Sequence, residues 1–441
     1  MREWDTLTVK NVTPSSADLA LTRVLAEQNE SMLRVEWLYD RSARITSRSW
    51  VGVVRFDSFE VRVEPKLVGG NLGILRMLDY TRGLDAIQRL PSMQDLEDEG
   101  ASLIDLVCWL LADQCDYILR HGLLSDYVTH EETLLSFRGQ LRIYEQIRRH
   151  YGQVGELECR YDEYESDILE NRILAVALRS ARRVCVNTRV RAMLGRVEPL
   201  FSEVCPAEDI DVTAARDRLT YHRRNQHYRG AHHWAFLLLS GKAIKDVYSA
   251  GDAGAFAFMF DMNRLFEEFV ETILREALRS TRYRLASQSR TRSIVVDEKG
   301  RNYSTVIPDL LIRTGSGATE RVLPVDSKYK LYDDQRVVAG DIYQTFLYAY
   351  AFAPPGRFPT AGVVFPAAAE SRGFSLGVQN TQGTRAARIK GLGLDIQRAL
   401  RRIALGEAAS PELVGDLLEL MEPPEQSADA SRGLPALVLT A

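Results

Sequence analysis

Two aspartates and a lysine stand at the ends of two apolar runs in the stretch VIPDLLIRTGSGATERVLPVDSKYK, residues 306–330. Asp309 follows a proline, and Asp326 precedes Lys328 by two positions. Successive side chains of a strand alternate between faces, so Asp326 and Lys328 project from the same side. Because a glycine-rich turn at 315–317 can fold one strand back beside the other, we predict that the three side chains converge.

Such a group of residues is suited to metal-assisted hydrolysis. Two neighbouring carboxylates repel each other, and both stay ionised only if a cation lies between them. Mg²⁺ fits this role, with Mn²⁺ as the alternative, because a hard ion binds carboxylates and keeps waters for a substrate phosphate. The ion would polarise a phosphoryl oxygen and acidify bound water. Lys328 would position or deprotonate that water, or stabilise charge on the phosphate.

The competing interpretation is an ordinary strand turn with an exposed Asp and Lys. Asp326 ends the apolar run VLPVD, where an unpaired carboxylate would be costly to bury, and this favours a site. Gln344 and Tyr348 are four residues apart and share one face of a later helix. Glu267 and its neighbour Glu268 lie on an earlier helix, where they either point inward or form a solvated face.

The elements that must position these residues follow from the apolar periodicity. SWVGVVRFDSFEVRVEPKL predicts two strands joined near Asp57-Ser58, and ASLIDLVCWLLADQCDYILRHGLL predicts a helix that ends at Gly122. Near the C-terminal third, a helix (MNRLFEEFVETILREALRS) precedes strands at about 291–297, 304–313 and 321–331. A helix (DIYQTFLYAYAF) and a strand (TAGVVFP) follow.

We therefore predict a multidomain α/β protein. The predicted parts are a β-rich domain at 1–95, a helical domain at 96–250, an αβββαβ domain with a mixed sheet flanked by helices at 251–420, and a flexible tail at 421–441.

The composition restricts the class of protein. The formal net charge of −4 gives no overall basicity, so only local clusters of arginine can indicate nucleic acid. The five cysteines form no CxxC pair, which disfavours a disulfide framework and a zinc ribbon and favours buried thiols. The first residues contain no apolar signal region, and no long apolar span follows; we expect a cytoplasmic protein without membrane contact.

The segment YHRRNQHYRGAHHW, residues 221–234, concentrates arginine and histidine. It is interpreted as part of the helical domain, as a contact for DNA phosphate or a protein partner, or as a zinc site that lacks cysteine ligands. Two further arginine clusters, EQIRRH at 145–150 and QRALRRIAL at 397–405, are typical of amphipathic helices with basic outer faces.

The order helix–Glu, Pro-Asp, Asp-x-Lys, Gln-x-x-x-Tyr resembles the PD-(D/E)xK nuclease superfamily in its RecB-like form. More closely, the chain resembles the McrC family, the nuclease subunits of the McrBC modification-dependent restriction system. Beyond PDLLI and VDSKYK, the matching stretches are VGVVRFDSFEVRVEPKL, FRGQLRIYEQIRRH, YDEYESDILENRIL, LTYHRRNQHYR and FMFDMNRLFEEFV. They span about residues 50 to 350, whereas the first 50 residues and those after 365 match poorly.

This resemblance implies a division of labour. The C-terminal domain would be a Mg²⁺-dependent nuclease whose catalytic residues are Asp309, Asp326, Lys328, Gln344 and Tyr348, with Asp309, Asp326 and Glu267 as metal ligands. The remaining parts would dock onto a hexameric McrB-like AAA+ GTPase and stimulate it. An arginine from one of the clusters that reaches the partner's GTPase centre would suit the family. The partner would recognise methylated double-stranded DNA and translocate it.

The residues agree that nucleotide hydrolysis belongs to another subunit. LSGKA at 239–243 is not a P-loop, because Phe236 stands where the first glycine is required. Two alternatives to the nuclease subunit remain. One is a non-catalytic assembly or regulatory subunit of an AAA+ complex, and the other is a stand-alone RecB-like nuclease.

Overall fold

The chain divides into two units, Met1–Met262 and Asn263–Ala441. The computed structural model describes residues 1–26, 32–84, 92–152, 155–206, 210–239, 256–287, 295–299, 301–304, 306–316, 319–330, 332, 337–367 and 373–422. Within this part of the chain, no helix combines the length and apolar character needed to cross a membrane.

The first unit begins with two small antiparallel sheets. Their elements are β1 (Thr6–Lys10), α1 (Ser16–Ala26), β2 (Leu33–Leu38), β3 (Ser42–Ser47), β4 (Trp50–Arg55), β5 (Glu60–Val63) and, from far along the chain, β9 (Phe256–Asp261). The strand orders are β1-β3-β2 and β5-β4-β9. The predicted hairpin is confirmed, since β4 pairs with β5 and Val61 and Val63 are buried while Arg62 is exposed.

The β9 strand lies in the first unit, whereas the predicted domain boundary at 250/251 would place it in the C-terminal domain. Residues 251–255 lie outside the described residues, but β9 pairs along its whole length with β4, so that Val53 faces Phe258. The two units therefore separate after Met262, and β9 belongs to the first. The chain positions of β4 and β9 are about 200 residues apart, and no local pattern reports such a pairing. The predicted division at 95/96 falls inside the first unit and stays a prediction.

Helices make up most of the rest of the first unit. They are α2 (Asn71–Arg82), α3 (Ser92–Asp98), α4 (Leu103–His121), α5 (Ile143–His150), α6 (Leu169–Val184), α7 (Thr188–Val204), α8 (Val212–Arg218) and α9 (Arg229–Leu239). The almost wholly buried α4 packs against α6, α7 and α9. It ends before Gly122, as predicted. The five cysteines are buried, free thiols, also as predicted.

An arm of residues 126–165 projects from these helices and was not predicted. Its strands β6 (Asp126–Leu134), β7 (Gln140–Leu141) and β8 (Leu157–Glu165) form one sheet, and α5 lies on the chain between β7 and β8. Large apolar side chains on the arm are open to solvent, among them Leu135 at 86% and Tyr144 at 76% exposure. The strand sequences DYVTHEETL and LECRYDEYE have no continuous apolar face, which explains why periodicity missed them.

A buried polar network fixes both roots of the arm. Asn171 Nδ2 donates to the carbonyl oxygens of Leu124 and Ser166, at 2.9 and 2.8 Å. The hydroxyl of Tyr228 donates to Asn171 Oδ1 at 2.9 Å and accepts from the amide of Leu124 at 2.8 Å. Asn171 and Tyr228 are fully buried, so these hydrogen bonds are shielded from water and hold the arm to the helices.

The second unit is a mixed sheet with helices. Its elements are α10 (Met262–Leu278), β10 (Arg284–Ser287), β11 (Val295–Val296), β12 (Asn302–Ser304), β13 (Leu310–Thr314), β14 (Arg321–Ser327), α11 (Ala339–Phe352), β15 (Thr360–Pro366), β16 (Phe374–Gln379), β17 (Arg385–Leu394), α12 (Ile396–Ala404) and α13 (Pro411–Glu419). The six-stranded sheet has the order β10-β13-β14-β15-β17-β16. Its pairings β14–β15 and β15–β17 are parallel, and the others are antiparallel.

The mixed α/β class was predicted, but two details of the order were wrong. The first strand of the large sheet is β10 at 284–287, whereas the predicted strand at 291–297 falls partly outside the described residues and contributes only β11 to a separate pair with β12. In addition, β16 and β17 extend the sheet beyond the last predicted strand. Most of the predicted tail, from 423 onward, lies outside the described residues.

Helices cover both faces of this sheet. Val363 on β15 packs with Ile342 and Phe346 of α11. A Cβ on the adjacent Gly362 would lie 3.2 Å from Leu417 of α13. Since neighbouring residues of a strand point to opposite faces, α11 and α13 lie on opposite sides of the sheet.

Candidate active site

The register of β13 and β14 brings the two aspartates together. Leu310 pairs with Val325 in this antiparallel ladder, so the next positions outward, Asp309 and Asp326, stand opposite each other. Directly opposed residues of an antiparallel pair project from the same face at close range. The glycine turn that closes the hairpin includes Gly315 at φ 74°, where a Cβ would meet the carbonyl oxygen of Thr319 at 2.5 Å.

The Asp326 carboxylate is buried without the hydrogen bonds that such a group normally has. It is 1% exposed, and neither oxygen accepts a hydrogen bond of ordinary geometry from the described residues. Its ion pair is with Lys328, whose Nζ lies 3.0 Å from Oδ2. The Asp309 carboxylate is oriented by the backbone amide of Ser327, which donates to Oδ2 at 2.8 Å.

Burial and mutual repulsion make both aspartates reluctant to ionise. Burial first, and then the charge of Asp309, raise the pKa of Asp326 to about 7, although Lys328 opposes this. Burial also raises the pKa of Asp309, with a contribution from the charge of Glu267, against the hydrogen bond from Ser327. A cation between the two carboxylates would relieve both effects.

Lys328 lies just beyond the end of β14, which is shorter than predicted. Its backbone amide still donates to the carbonyl oxygen of Val364 on β15, at 2.9 Å, and this fixes the lysine next to the site. Burial disfavours its charge, but Asp326 and Asp309 outweigh burial and raise the pKa of the ammonium group. Lys328 is therefore a cation at neutral pH and a hydrogen-bond donor, which disfavours the role of proton acceptor.

Three further predicted site residues, Glu267, Gln344 and Tyr348, differ in burial and in how they act on this centre. Glu267 on α10 is half-buried and acts on Asp309 through its charge. Tyr348 on α11 is buried, and its hydroxyl donates to the carbonyl oxygen of Ile307 at 3.0 Å and accepts from Gln344 Nε2 at 2.7 Å. Gln344 and Tyr348 thus hold the segment that leads into Asp309, which is the geometry of positioning residues.

A second acidic group beside the site was not predicted. The Asp341 carboxylate accepts hydrogen bonds from Lys330 Nζ at 3.0 and 2.8 Å and from the Tyr332 hydroxyl at 2.6 Å. Burial disfavours its charge, but Lys330 and Tyr332 outweigh burial and lower the pKa of Asp341. Asp341 is three and seven residues before Gln344 and Tyr348, so the helical spacing that singled out those two would also have indicated Asp341.

The carboxylate pair suits a small, hard cation. Asp326 has two buried oxygens without hydrogen bonds, and Asp309 stands opposite. Among the described residues no three His, Cys, Asp or Glu side chains are gathered as a metal cluster. The role of Glu267 as a third ligand stays a prediction. Mg²⁺ is commonly held by one or two carboxylates and completes its shell with water and phosphate, so the residues present fit it.

The opposite environments of Asp326 and Asp341 predict opposite effects of the same substitution. The pKa of Asp326 is raised from 3.8 to about 7. The free energy of unfolding therefore falls as the pH rises through this range, and the destabilisation by the ionised carboxylate is complete near pH 8. In EDTA near pH 8, we expect Asp326→Asn to raise the free energy of unfolding by about 2 kcal/mol, since one pKa unit is about 1.4 kcal/mol and the loss of the Lys328 ion pair offsets part of the gain.

Asp341→Asn is the matched substitution and should lower the free energy of unfolding by about 1 kcal/mol, because Lys330 and Tyr332 lose a charged acceptor. Urea denaturation of both variants, followed by circular dichroism, measures the two changes. If Asp326→Asn is destabilising in EDTA, the carboxylate is not a strained group and the argument for a cation is wrong.

Some side chains of the other basic and histidine-rich segments form ion pairs or hydrogen bonds within the chain. In α5, Arg148 pairs with Glu145 at 2.6 Å; in α12, Arg398 pairs with Glu412 at 3.0 Å. His232 in the 221–234 segment is buried between Tyr221 and the carbonyl oxygen of Glu170, as expected for part of the helical core. The described residues contain no metal cluster at these histidines.

The fold and the site together define a mixed α/β protein with two opposed carboxylates, of which Asp326 is buried and Asp309 half-buried, and a lysine beside them. The family model described as McrBC 5-methylcytosine restriction system component matches residues 45–358. The match covers more than half of the chain, and the chain belongs to this family.

Solved structures resemble the chain as well. One is described as a refined half-complex from a tetradecameric assembly of Thermococcus gammatolerans McrB AAA+ hexamers with bound McrC; the TM-score is 0.61 at 18% identity, over 91% of this chain and 99% of that chain. At this identity, the likeness concerns the fold alone. A cryo-EM structure of the Thermococcus gammatolerans McrBC complex matches at a TM-score of 0.45 and 21% identity, over 64% of this chain and 88% of that one. No curated protein matches.

Proposed function

We propose that this chain is the Mg²⁺-dependent DNA endonuclease subunit of a McrBC-like restriction complex and acts in the cytoplasm. The observation that carries the proposal is the Asp326 carboxylate, which is buried opposite Asp309, accepts no hydrogen bond of ordinary geometry from the described residues and has the Lys328 ammonium 3.0 Å away. A buried carboxylate that faces a second, half-buried one lowers stability, and such groups are concentrated at functional sites. The αβββαβ order of the second unit, α10-β10-β13-β14-α11-β15, supports the assignment of this unit to the PD-(D/E)xK nucleases.

The side chains have distinct parts in the proposed reaction. Asp309 and Asp326 would hold Mg²⁺, which supplies polarisation of a phosphoryl oxygen and a more acidic water. Lys328 donates a hydrogen bond to the phosphate and stabilises the charge that develops on it, because its ammonium group stays protonated. The amide of Ser327 keeps the Asp309 carboxylate in place. Tyr348 and Gln344 hold the chain before Asp309 and keep the two strands aligned.

An AAA+ GTPase hexamer of the McrB kind is the proposed partner. The chain belongs to the McrBC family, and the Thermococcus gammatolerans structure contains McrB AAA+ hexamers with bound McrC. Modified DNA would be the substrate. In the first unit, the arm carries large exposed apolar side chains, including Leu135, Tyr144 and Tyr151. Exposed apolar surface of this kind is typical of a site that binds another protein. We assign partner binding to this arm.

Reconstitution tests the division of labour. Purified chain and partner are incubated with methylated plasmid, GTP and Mg²⁺, and linear DNA is measured on a gel. We expect cleavage only when both proteins and the divalent ion are present. Cleavage of DNA ends by this chain alone would favour the stand-alone nuclease, whereas stimulated GTPase without any divalent-dependent breakage would favour the regulatory subunit.

Partner binding by the arm is measured in the same system. Tyr144→Asp is expected to weaken association with the hexamer and to reduce GTPase stimulation about tenfold or more, because a charge replaces an exposed aromatic contact. Tyr39→Asp is the matched control, since Tyr39 is fully exposed in the first unit but lies outside the arm. Equal effects of the two substitutions would contradict the assignment of partner binding to the arm.

A further inference from the structure

The first unit contains a basic cavity that the proposed nuclease centre does not use. Its volume is about 200 Å³. The side chains that line it come from α2, α8, α9 and the segment before α9: Arg82, Leu84, Arg216, Leu219, Tyr221, Arg229, His233 and Phe236. Three guanidinium groups and an imidazole thus meet at one concave surface, and none of the described residues that line it is acidic.

The effect of the arginines is visible at His233. Its Nε2 atom is buried and has no hydrogen-bond partner among the described residues. Burial first, and then the charges of Arg82, Arg216 and Arg229, lower the pKa of this histidine to about 4. All three guanidinium groups are therefore close enough to act on one imidazole, in a chain whose net charge is −4. A positive field of this kind favours an anion.

Part of the wall is held in place by its neighbours. The Arg216 guanidinium lies over the ring of Phe236, 4.9 Å from its centroid. Tyr221 is fixed by a hydrogen bond between its hydroxyl and Nδ1 of His232, at 3.1 Å, while Nε2 of His232 lies 2.9 Å from the carbonyl oxygen of Glu170. The Tyr221 hydroxyl donates to His232 and so serves as a fixed part of the wall, and a wall held in place in this way loses little entropy when an anion binds.

The neighbouring surface indicates what kind of anion fits. Between residues 216 and 229 the chain carries three more exposed arginines, Arg218, Arg223 and Arg224, and a single acidic residue, Asp217. Planar guanidinium groups match the oxygens of a phosphate. Each has five N–H donors, so it can bind a phosphate while it keeps a hydrogen bond to an acceptor within the chain. Arg224 lines a different cavity and donates to the carbonyl oxygen of Ser125. Three arginines at one cavity, beside a segment this rich in arginine, suit a polyanion better than an isolated ion.

We propose that this cavity and the arginines beside it bind the phosphate backbone of double-stranded DNA, which gives the first unit a DNA contact of its own. The inference rests on the proposed function in that DNA is the substrate, but it does not depend on cleavage. Backbone contacts of this kind position a protein on DNA without reading its sequence.

Binding of a fluorescent duplex to the full chain tests the proposal. The measurement is made in EDTA, so that cleavage plays no part, and over a series of salt concentrations. We expect Arg229→Glu to weaken binding about tenfold or more, equally for methylated and unmethylated duplexes, and to lower the slope of log K against log salt by about 1. Arg229→Lys, which keeps the charge, should retain most of the affinity.

Arg196→Glu is the matched control, since Arg196 is exposed on α7 and does not line the cavity; it should leave the affinity unchanged. Circular dichroism confirms that each variant is folded. Unchanged affinity and salt slope for Arg229→Glu, or no binding of duplex by the unaltered chain at low salt, would overturn the proposal. Displacement of the duplex by equimolar GTP would assign the cavity to a free nucleotide and would overturn the DNA assignment. Binding in EDTA by Arg229→Glu tests this contact, whereas cleavage by the complete complex tests the nuclease centre, so the two proposals fail on different measurements.

Discussion

Asp326→Ala is expected to lower the rate of DNA cleavage by the complete complex by about 1,000-fold or more, which corresponds to about 4 kcal/mol of transition-state stabilisation. The substitution removes one of the two opposed carboxylates and, with it, the anion that holds the Lys328 ammonium 3.0 Å away. The proposed cation site and the orientation of Lys328 would then be lost together. Single-turnover cleavage of methylated plasmid at saturating partner measures the change.

Lys328→Ala should have a similar effect on cleavage, because the phosphate loses its charged donor. For both variants, stimulation of the partner's GTPase should remain as in the unaltered chain, since the substitutions leave the first unit untouched. Glu320→Ala is the control: Glu320 is partly exposed and lies at the opposite end of the same hairpin. Undiminished cutting by Asp326→Ala would eliminate the proposed centre and leave the regulatory role as the better explanation.

The largest effect on stability is expected at Asp105 in the first unit. This carboxylate is 2% exposed and connects the start of α4 to the junction between α6 and α7. It accepts hydrogen bonds from the amide of Ser102 at 3.0 Å and from the amides of Val186 and Asn187 at 2.9 and 3.1 Å. It also accepts from the Ser102 hydroxyl at 2.6 Å.

Asp105→Asn places an amide NH₂ group among these donors. Because buried donors then lose their acceptor, we expect the free energy of unfolding to fall by about 3 kcal/mol at pH 7. Burial disfavours the charge of Asp105, but the hydrogen bonds from Ser102, Asn187 and Val186 outweigh burial and lower its pKa. Its stabilisation is therefore present above the unfolded pKa of 3.8 and is lost as the pH falls through the lower folded value.

Chemical denaturation followed by circular dichroism at several pH values measures this difference. The gap between the unaltered chain and Asp105→Asn should be constant from pH 7 to 5 and should narrow below pH 4. Asp113→Asn on the same helix is the control, because burial and the charge of Asp116 raise the pKa of Asp113. That variant should be neutral or slightly stabilising. If Asp113→Asn is as destabilising as Asp105→Asn, the hydrogen-bond explanation is wrong.

Local patterns determined the elements that bury one apolar face. Helix α4 was predictable to its last turn because apolar residues recur along it at helical spacing and Gly122 follows its last residue. The β4–β5 hairpin was predictable from its alternation of buried Val61 and exposed Arg62. The arm was not predictable in this way, because strands that are solvated on both faces have no periodic apolar signal. For the same reason β16, whose side chains are half-buried or exposed, was missed.

For the site, the sequence by itself determined the chemistry: two acids and an amine of the right types, on two strands joined by a short turn. Only the tertiary structure decided the register that places Asp309 opposite Asp326. It also decided that Asp326 is buried where the described residues offer it no hydrogen bond of ordinary geometry, and that Asp341 pairs with Lys330 and Tyr332. Residue types and spacings are local properties of the chain. Register, burial and the neighbours of a charge depend on segments that are distant in sequence, such as β4 and β9 or β13 and β14, and these meet only when the whole unit packs.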